Sequence, residues 1–155
     1  MNKKVILPLV FVFLVGCGFT PMLKDFDLSN INVQKIKYSG KNELTYLVKS
    51  YINVEENKNS EGIILNLDVS ETVEKSAKNT SGIVIEEKLT LTIKINIVDS
   101  KKRILLSDSV SNSRKISVTN NLSTDEATKK KERRNLLQGL SQKVKFKLQL
   151  IAKRQ

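Results

Sequence analysis

The sequence predicts an α+β fold: a two-layer sandwich of order β-α-β-β-β-α, with two helices packed on one face of a four-stranded mixed or antiparallel sheet. Three observations predict it. A helical apolar period runs over residues 41–55, a two-residue period follows over residues 63–98, and a helical period returns in the last thirty or so residues. The 155 residues suit one domain, and with five Phe, three Tyr and no Trp the core falls mainly to Ile, Leu and Val.

The first strand is expected over Asn30 to Ser39. Ile31 and Val33 share one parity and Ile36 and Tyr38 the other, so the strand needs a bulge or an edge position. Lys41 to Glu55 follows as a helix, with Leu44, Leu47, Val48 and Tyr51 on one face and Ser39 or Asn42 as candidate caps. Asn57 to Gly62 is polar and separates the helix from the next strand. From Ile63 the period becomes two: Ile63, Leu65, Leu67 and Val69 face one way, Asn66, Asp68 and Ser70 the other. A polar tip over about Lys75 to Gly82 leads to the clearest strand, residues 83–98, where Leu89, Leu91, Ile93, Ile95 and Ile97 alternate with Thr90, Thr92, Lys94 and Asn96. Asp99-Ser100-Lys101-Lys102 reads as a tight turn. Arg103 to Val118 is a more polar strand, with Leu106, Val110, Ile116 and Val118 on one parity. Short turns between these three strands argue for an antiparallel meander, and the first strand, helix and second strand form a βαβ unit.

Ser123-Thr124-Asp125-Glu126 fits a capping box opening the closing helix. Leu137, Leu140, Val144, Leu148 and Ile151 make its main apolar face. Leu136, Phe146 and Leu150 lie off that face and either widen the buried stripe or form a second apolar surface for a partner.

The N-terminus reads as an address. Lys3 and Lys4 precede an apolar run, Val5 to Val15, which is shorter than the about 20 residues a membrane span needs. Residues 1–16 are thus expected to be a signal peptide. It ends in Leu14-Val15-Gly16-Cys17, which resembles a bacterial lipobox; in lipoproteins with this box the cysteine is acylated and becomes the new N-terminus. Residues 17–30 would then be the lipidated N-terminus and tether, and residues 31–155 the single domain.

The formal net charge is +11, falling to +9 without Lys3 and Lys4. From Thr124 onward ten basic residues face three acidic ones, an excess of +7 that suits an anionic partner. Nucleic acid would fit such a charge only if the lipobox were accidental. There is no His, one Cys, no G-x-S-x-G elbow, no phosphate-cradling glycine loop and no paired carboxylate signature. The chain is expected to be neither an enzyme nor the holder of a cofactor or metal; its one added group would be the covalent lipid on Cys17.

A short exported chain opening its mature part with Cys17-Gly18-Phe19-Thr20-Pro21-Met22-Leu23 resembles the LPS-assembly lipoprotein family, LptE. Many members have Pro-Leu where this chain has Pro21-Met22. The element order matches the family across the mature chain. The resemblance implies an outer-membrane lipoprotein on the periplasmic side, which plugs and helps assemble the LptD β-barrel and assists lipopolysaccharide to the outer leaflet. It also implies lipopolysaccharide binding near the tip between the second and third strands and near the start of the last helix. By position and charge that selects Lys75, Lys78, Lys129, Lys130 and Lys131, with Leu136, Phe146 and Leu150 as the partner interface. The alternative is another periplasm-facing lipoprotein that scaffolds or activates a peptidoglycan enzyme.

Overall fold

The structure is a computed structural model that describes residue 28 and residues 31–58 and 61–152. Its elements are β1 (Val33–Gly40), α1 (Asn42–Ile52), β2 (Ile63–Lys78), β3 (Val84–Val98), β4 (Ile104–Ser117) and α2 (Leu122–Ala152). The strands form one mixed sheet in the order β1-β2-β3-β4. β1 runs parallel to β2, and β2, β3 and β4 form the antiparallel meander. The expected fold is the observed one.

Each element follows from its residues, with four corrections. β1 carries the irregularity its mixed parity requires, between Val33 and Lys35. Gly40 ends it at φ +119°, where a Cβ would sit 2.1 Å from the Val69 carbonyl oxygen, so glycine is required. α1 is shorter than its pattern: Asn53 adopts a left-handed conformation (φ 45°) and its N–H closes the helix on the Lys49 carbonyl. Neither Ser39 nor Asn42 caps α1; the N-cap is Lys41, without a side-chain bond, and the Ser39 hydroxyl instead donates across to the Leu67 carbonyl and to Asp68. β2 runs through the expected tip to Lys78, because it has β3 to pair with over its whole length. α2 starts at Leu122, and the cap is Asn121, whose side-chain oxygen accepts the Thr124 N–H. Asp125, expected in a capping box, turns back to accept the Thr119 N–H at 2.9 Å and hydroxyl at 2.8 Å. These bonds, the backbone one foremost, hold its carboxyl below the usual aspartate range.

The core lies between one face of the sheet and the two helices. Ile63, Leu65, Leu67 and Val69 of β2 and Leu89 through Ile97, alternately, of β3 are buried beneath Leu44, Val48 and Ile52 of α1 and Leu137, Leu140, Val144 and Leu148 of α2. Leu136 is buried with them, 5% exposed, so it widens the core stripe. One polar residue is sealed in this stripe: Ser141, 1% exposed, whose hydroxyl has no hydrogen-bond partner. Burying an unsatisfied hydroxyl is unfavourable, so Ser141→Ala should raise stability by about 1 kcal/mol in urea unfolding. A lower midpoint would mean the hydroxyl is satisfied.

The other face of the sheet is bare and polar. Register aligns Asn66, Asn96 and Ser107 in one row, Asp68, Lys94 and Ser109 in the next, then Ser70, Thr92 and Ser111, then Thr72, Thr90 and Ser113. No described element covers it.

Candidate functional site at the hairpin end

The long β2–β3 hairpin outruns its helical cover. The cover ends at two ion-paired posts. On β2, Glu71 follows Val69 on the core face with its side chain only 6% exposed, and it accepts both Nε and Nη2 of Arg133. Lys41 Nζ stands 3.8 Å from the same carboxylate, and Arg133 also reaches Glu43 at 3.8 Å, so β2, α1 and α2 meet here. On β3, Glu87 lies 2.8 Å from Lys129 of α2. Donating to this carboxylate holds the Lys129 ammonium above the usual lysine range. Beside these posts, Arg114 of β4 reaches Glu132 of α2 at 3.4 Å.

Beyond the posts the apolar residues of the hairpin are uncovered: Val73, Ile83 and Ile85 are each 43–49% exposed, and Leu122 at the start of α2 is 79% exposed. The tip is a tight loop in which Asn79 Oδ1 accepts the N–H groups of Ser81 and Ile83. Around these aliphatics stand the expected lysines. Lys75 is exposed and directly opposite Glu87, which places it on the helix-side face beside Lys129. Lys78 is exposed at the end of β2 rather than in a loop. Lys130 and Lys131 are exposed on α2 but turn about 100° and 200° from Lys129. The Lys129 ammonium is tied to Glu87 and, at 3.5 Å, to Glu126, so it fastens α2 to the sheet.

The hairpin end thus combines open ammonium groups with exposed aliphatic side chains, an arrangement that suits an amphiphile with an anionic headgroup. The lysines were legible in the sequence. Val73, Ile83 and Ile85 were not, since they share the parity of the core residues and only the position of α2 decides which it covers. Of the expected partner surface, Phe146 and Leu150 are half-exposed on α2, at the other end of the molecule. Among the described residues there is no His, Cys, Asp and Glu cluster able to hold a metal and no helix long and apolar enough to cross a membrane. Cys17 and its signal and tether segments lie outside the described residues.

No protein-family model and no curated protein sequence matches the chain. Solved structures do. The rare lipoprotein B from Shewanella oneidensis is 16% identical with a TM-score of 0.59, over 77% of this chain and 95% of that one. A minor lipoprotein from Acinetobacter baumannii is 15% identical with a TM-score of 0.56, over 77% and 93%. An uncharacterized lipoprotein B from Nitrosomonas europaea is 13% identical with a TM-score of 0.55, over 74% and 81%. At these identities the likeness is one of fold.

Proposed function

We propose that the chain is a lipid-anchored protein on the periplasmic side of the outer membrane that sits within the LptD β-barrel, helps it assemble and assists lipopolysaccharide to the outer leaflet. The observation that carries this reading is the hairpin end, where Lys75 and Lys78 border uncovered Val73, Ile83 and Ile85. Lipopolysaccharide offers phosphates to the first and acyl chains to the second. Two further features support it. The lipobox at Leu14 to Cys17 supplies an anchor, and the fold is that of proteins named as lipoproteins. The bare sheet face of Ser, Thr and Asn suits the polar lumen of a large barrel, where an apolar face would be out of place. The role is one of binding and assembly, with no covalent chemistry on the substrate.

The test is isolation of the intact lipidated protein in mild detergent. A large β-barrel and lipopolysaccharide should come with it; an envelope enzyme in place of the barrel would favour the scaffold or activator reading. Lys75→Glu with Lys78→Glu should weaken lipopolysaccharide binding about tenfold while leaving the thermal midpoint unchanged, since both side chains are exposed. Unaltered binding would place the lipid elsewhere.

A further inference from the structure

The opposite end of the sheet carries a second surface on which aliphatic and basic side chains meet. The β3–β4 turn lies there, closed by hydrogen bonds from Lys102 N–H to the Asp99 carbonyl and from Asp99 N–H to the Arg103 carbonyl, each 3.0 Å. The Asp99 carboxylate accepts the Arg103 N–H at 2.8 Å and its guanidinium at 2.6 Å, which occupies the turn's one acid with one of its bases. Lys101 and Lys102 are left exposed at the apex. Immediately after the turn come Ile104, 66% exposed, and Leu105, 38% exposed. A bulge at Leu105, between the Ile97–Leu106 and Val98–Ile104 pairs, breaks the regular alternation of β4 here. Across from them the last turns of α2 contribute Leu150 and Ile151, which line an apolar groove with Leu105 and Leu106. Lys143 and Lys145 stand on the same stretch of helix, which has no acidic residue after Glu132. Lys147 also lines the groove, with its ammonium paired to Asp108 of β4; the other acids, Glu55, Glu56 and Glu61, belong to the α1–β2 loop, and Glu56 accepts the Ile36 N–H at 2.8 Å, which puts it at the far, β1 edge.

We infer that this corner, the β3–β4 turn together with the last turns of α2, rests on an anionic lipid surface. Lysines flanking a small group of exposed aliphatic residues are the pattern of an interfacial contact: the aliphatics enter the headgroup boundary and the ammonium groups stay among phosphates.

The orientation rests on the reading of Cys17 as the lipid anchor. β1 begins at this end, since Val33 pairs with Ile63 at the start of β2, beside the Ile64–Val98–Ile104 row. The fourteen residues from Cys17 to Ile31 reach about 50 Å at full extension. The 16-residue β2 is about as long, ~53 Å. Placing the hairpin tip at the membrane would therefore stretch the tether almost straight, whereas placing the corner there asks nothing of it. The hairpin tip then lies at the end of the domain farthest from the anchor.

The chain has no Trp, so a single introduced Trp is a clean reporter. The lipidated protein is placed in vesicles of phosphatidylethanolamine and phosphatidylglycerol that carry brominated acyl chains. Ile104→Trp should be quenched about twofold more than Ile83→Trp at the hairpin tip, with emission shifted to the blue. Lys101→Glu with Lys102→Glu should remove most of that difference, and neutral phosphatidylcholine vesicles should show less of it. Equal quenching at the two sites, stronger quenching at Ile83→Trp, or indifference to charge reversal overturns the inference while the protein still sediments with the vesicles. An Ile104→Trp signal that shifts only when a barrel protein is bound assigns the corner to protein and also overturns it. Failure to sediment at all overturns both this contact and the anchor at Cys17.

Discussion

Arg133→Met should destabilise the domain by about 3–5 kcal/mol, the range for removing one partner of a buried ion pair. Glu71 sits on the core face of β2, one core position beyond Val69, with its side chain 6% exposed. Arg133 supplies two donors to it, from Nε and from Nη2, the latter at 3.1 Å. Without Arg133 the carboxylate keeps only Lys41, which is 3.8 Å away and 73% exposed, and an exposed partner at that distance contributes little. A loss of this size is a large share of a typical domain stability of about 5–15 kcal/mol. Glu71→Leu combined with Arg133→Met should recover most of the loss, because the burden lies in the orphaned charge and not in the absence of the pair. Chemical denaturation of wild type, both single variants and the double variant measures the coupling directly. A penalty below about 1 kcal/mol for Arg133→Met would mean that water reaches Glu71 and that the pair behaves as a surface one.

The same pair marks the limit of what the sequence alone makes legible. Ile63 to Val69 and Leu89 to Ile97 are strands on sight, since each is buried on one side and polar on the other. After Ser70 that alternation dissolves in β2: the next core-facing position is Glu71, and Val73 is half open. Strand continues nevertheless, because β3 pairs with it without a break as far as Lys75 and, across two irregularities, to Lys78, and partner backbone is invisible to a local pattern. The helix ends escape a local pattern for a related reason. Several polar residues compete to cap, and the winner is set by chain geometry. Asn121 caps α2 while Asp125 is drawn to Thr119, and Asn53 stops α1 by turning left-handed ahead of the polar run. At the candidate site the pattern showed the lysines but not their state. Lys129 and Lys130 are neighbours of equal charge in the sequence; one is pinned to Glu87 and the other is open, a difference decided by which side of α2 faces β3.

Cys17→Ala should abolish lipid attachment outright. Acylation of a lipobox needs a thiol, and this chain has one cysteine, so no second residue can take the label. The leader should also stay on, because processing at such a box acts on the lipidated cysteine. Instead of a 139-residue mature chain from Cys17 to Gln155, cells should hold the whole 155-residue chain, held through the apolar run Val5 to Val15. Metabolic labelling with palmitate reads the first effect, and mobility on a denaturing gel reads the second. Fractionation adds a third: a single acyl chain binds a membrane only marginally, with a constant of about 10⁴ M⁻¹, so stable residence in the outer membrane requires the several chains of a mature lipoprotein. The variant should therefore be lost from the outer membrane, and with it any barrel that the wild type brings along. The domain itself, from Ile31 onward, should fold unchanged, because among the described residues its buried core runs from Ile31 to Leu148, with Leu28 packed against it. Loss of the barrel from a folded variant would separate delivery from recognition: the hairpin end would still bind lipopolysaccharide in detergent while the cell gains nothing from it. An unlabelled wild type, or a label that survives in Cys17→Ala, would remove the anchor, and with it the placement at the outer membrane on which the proposed function depends.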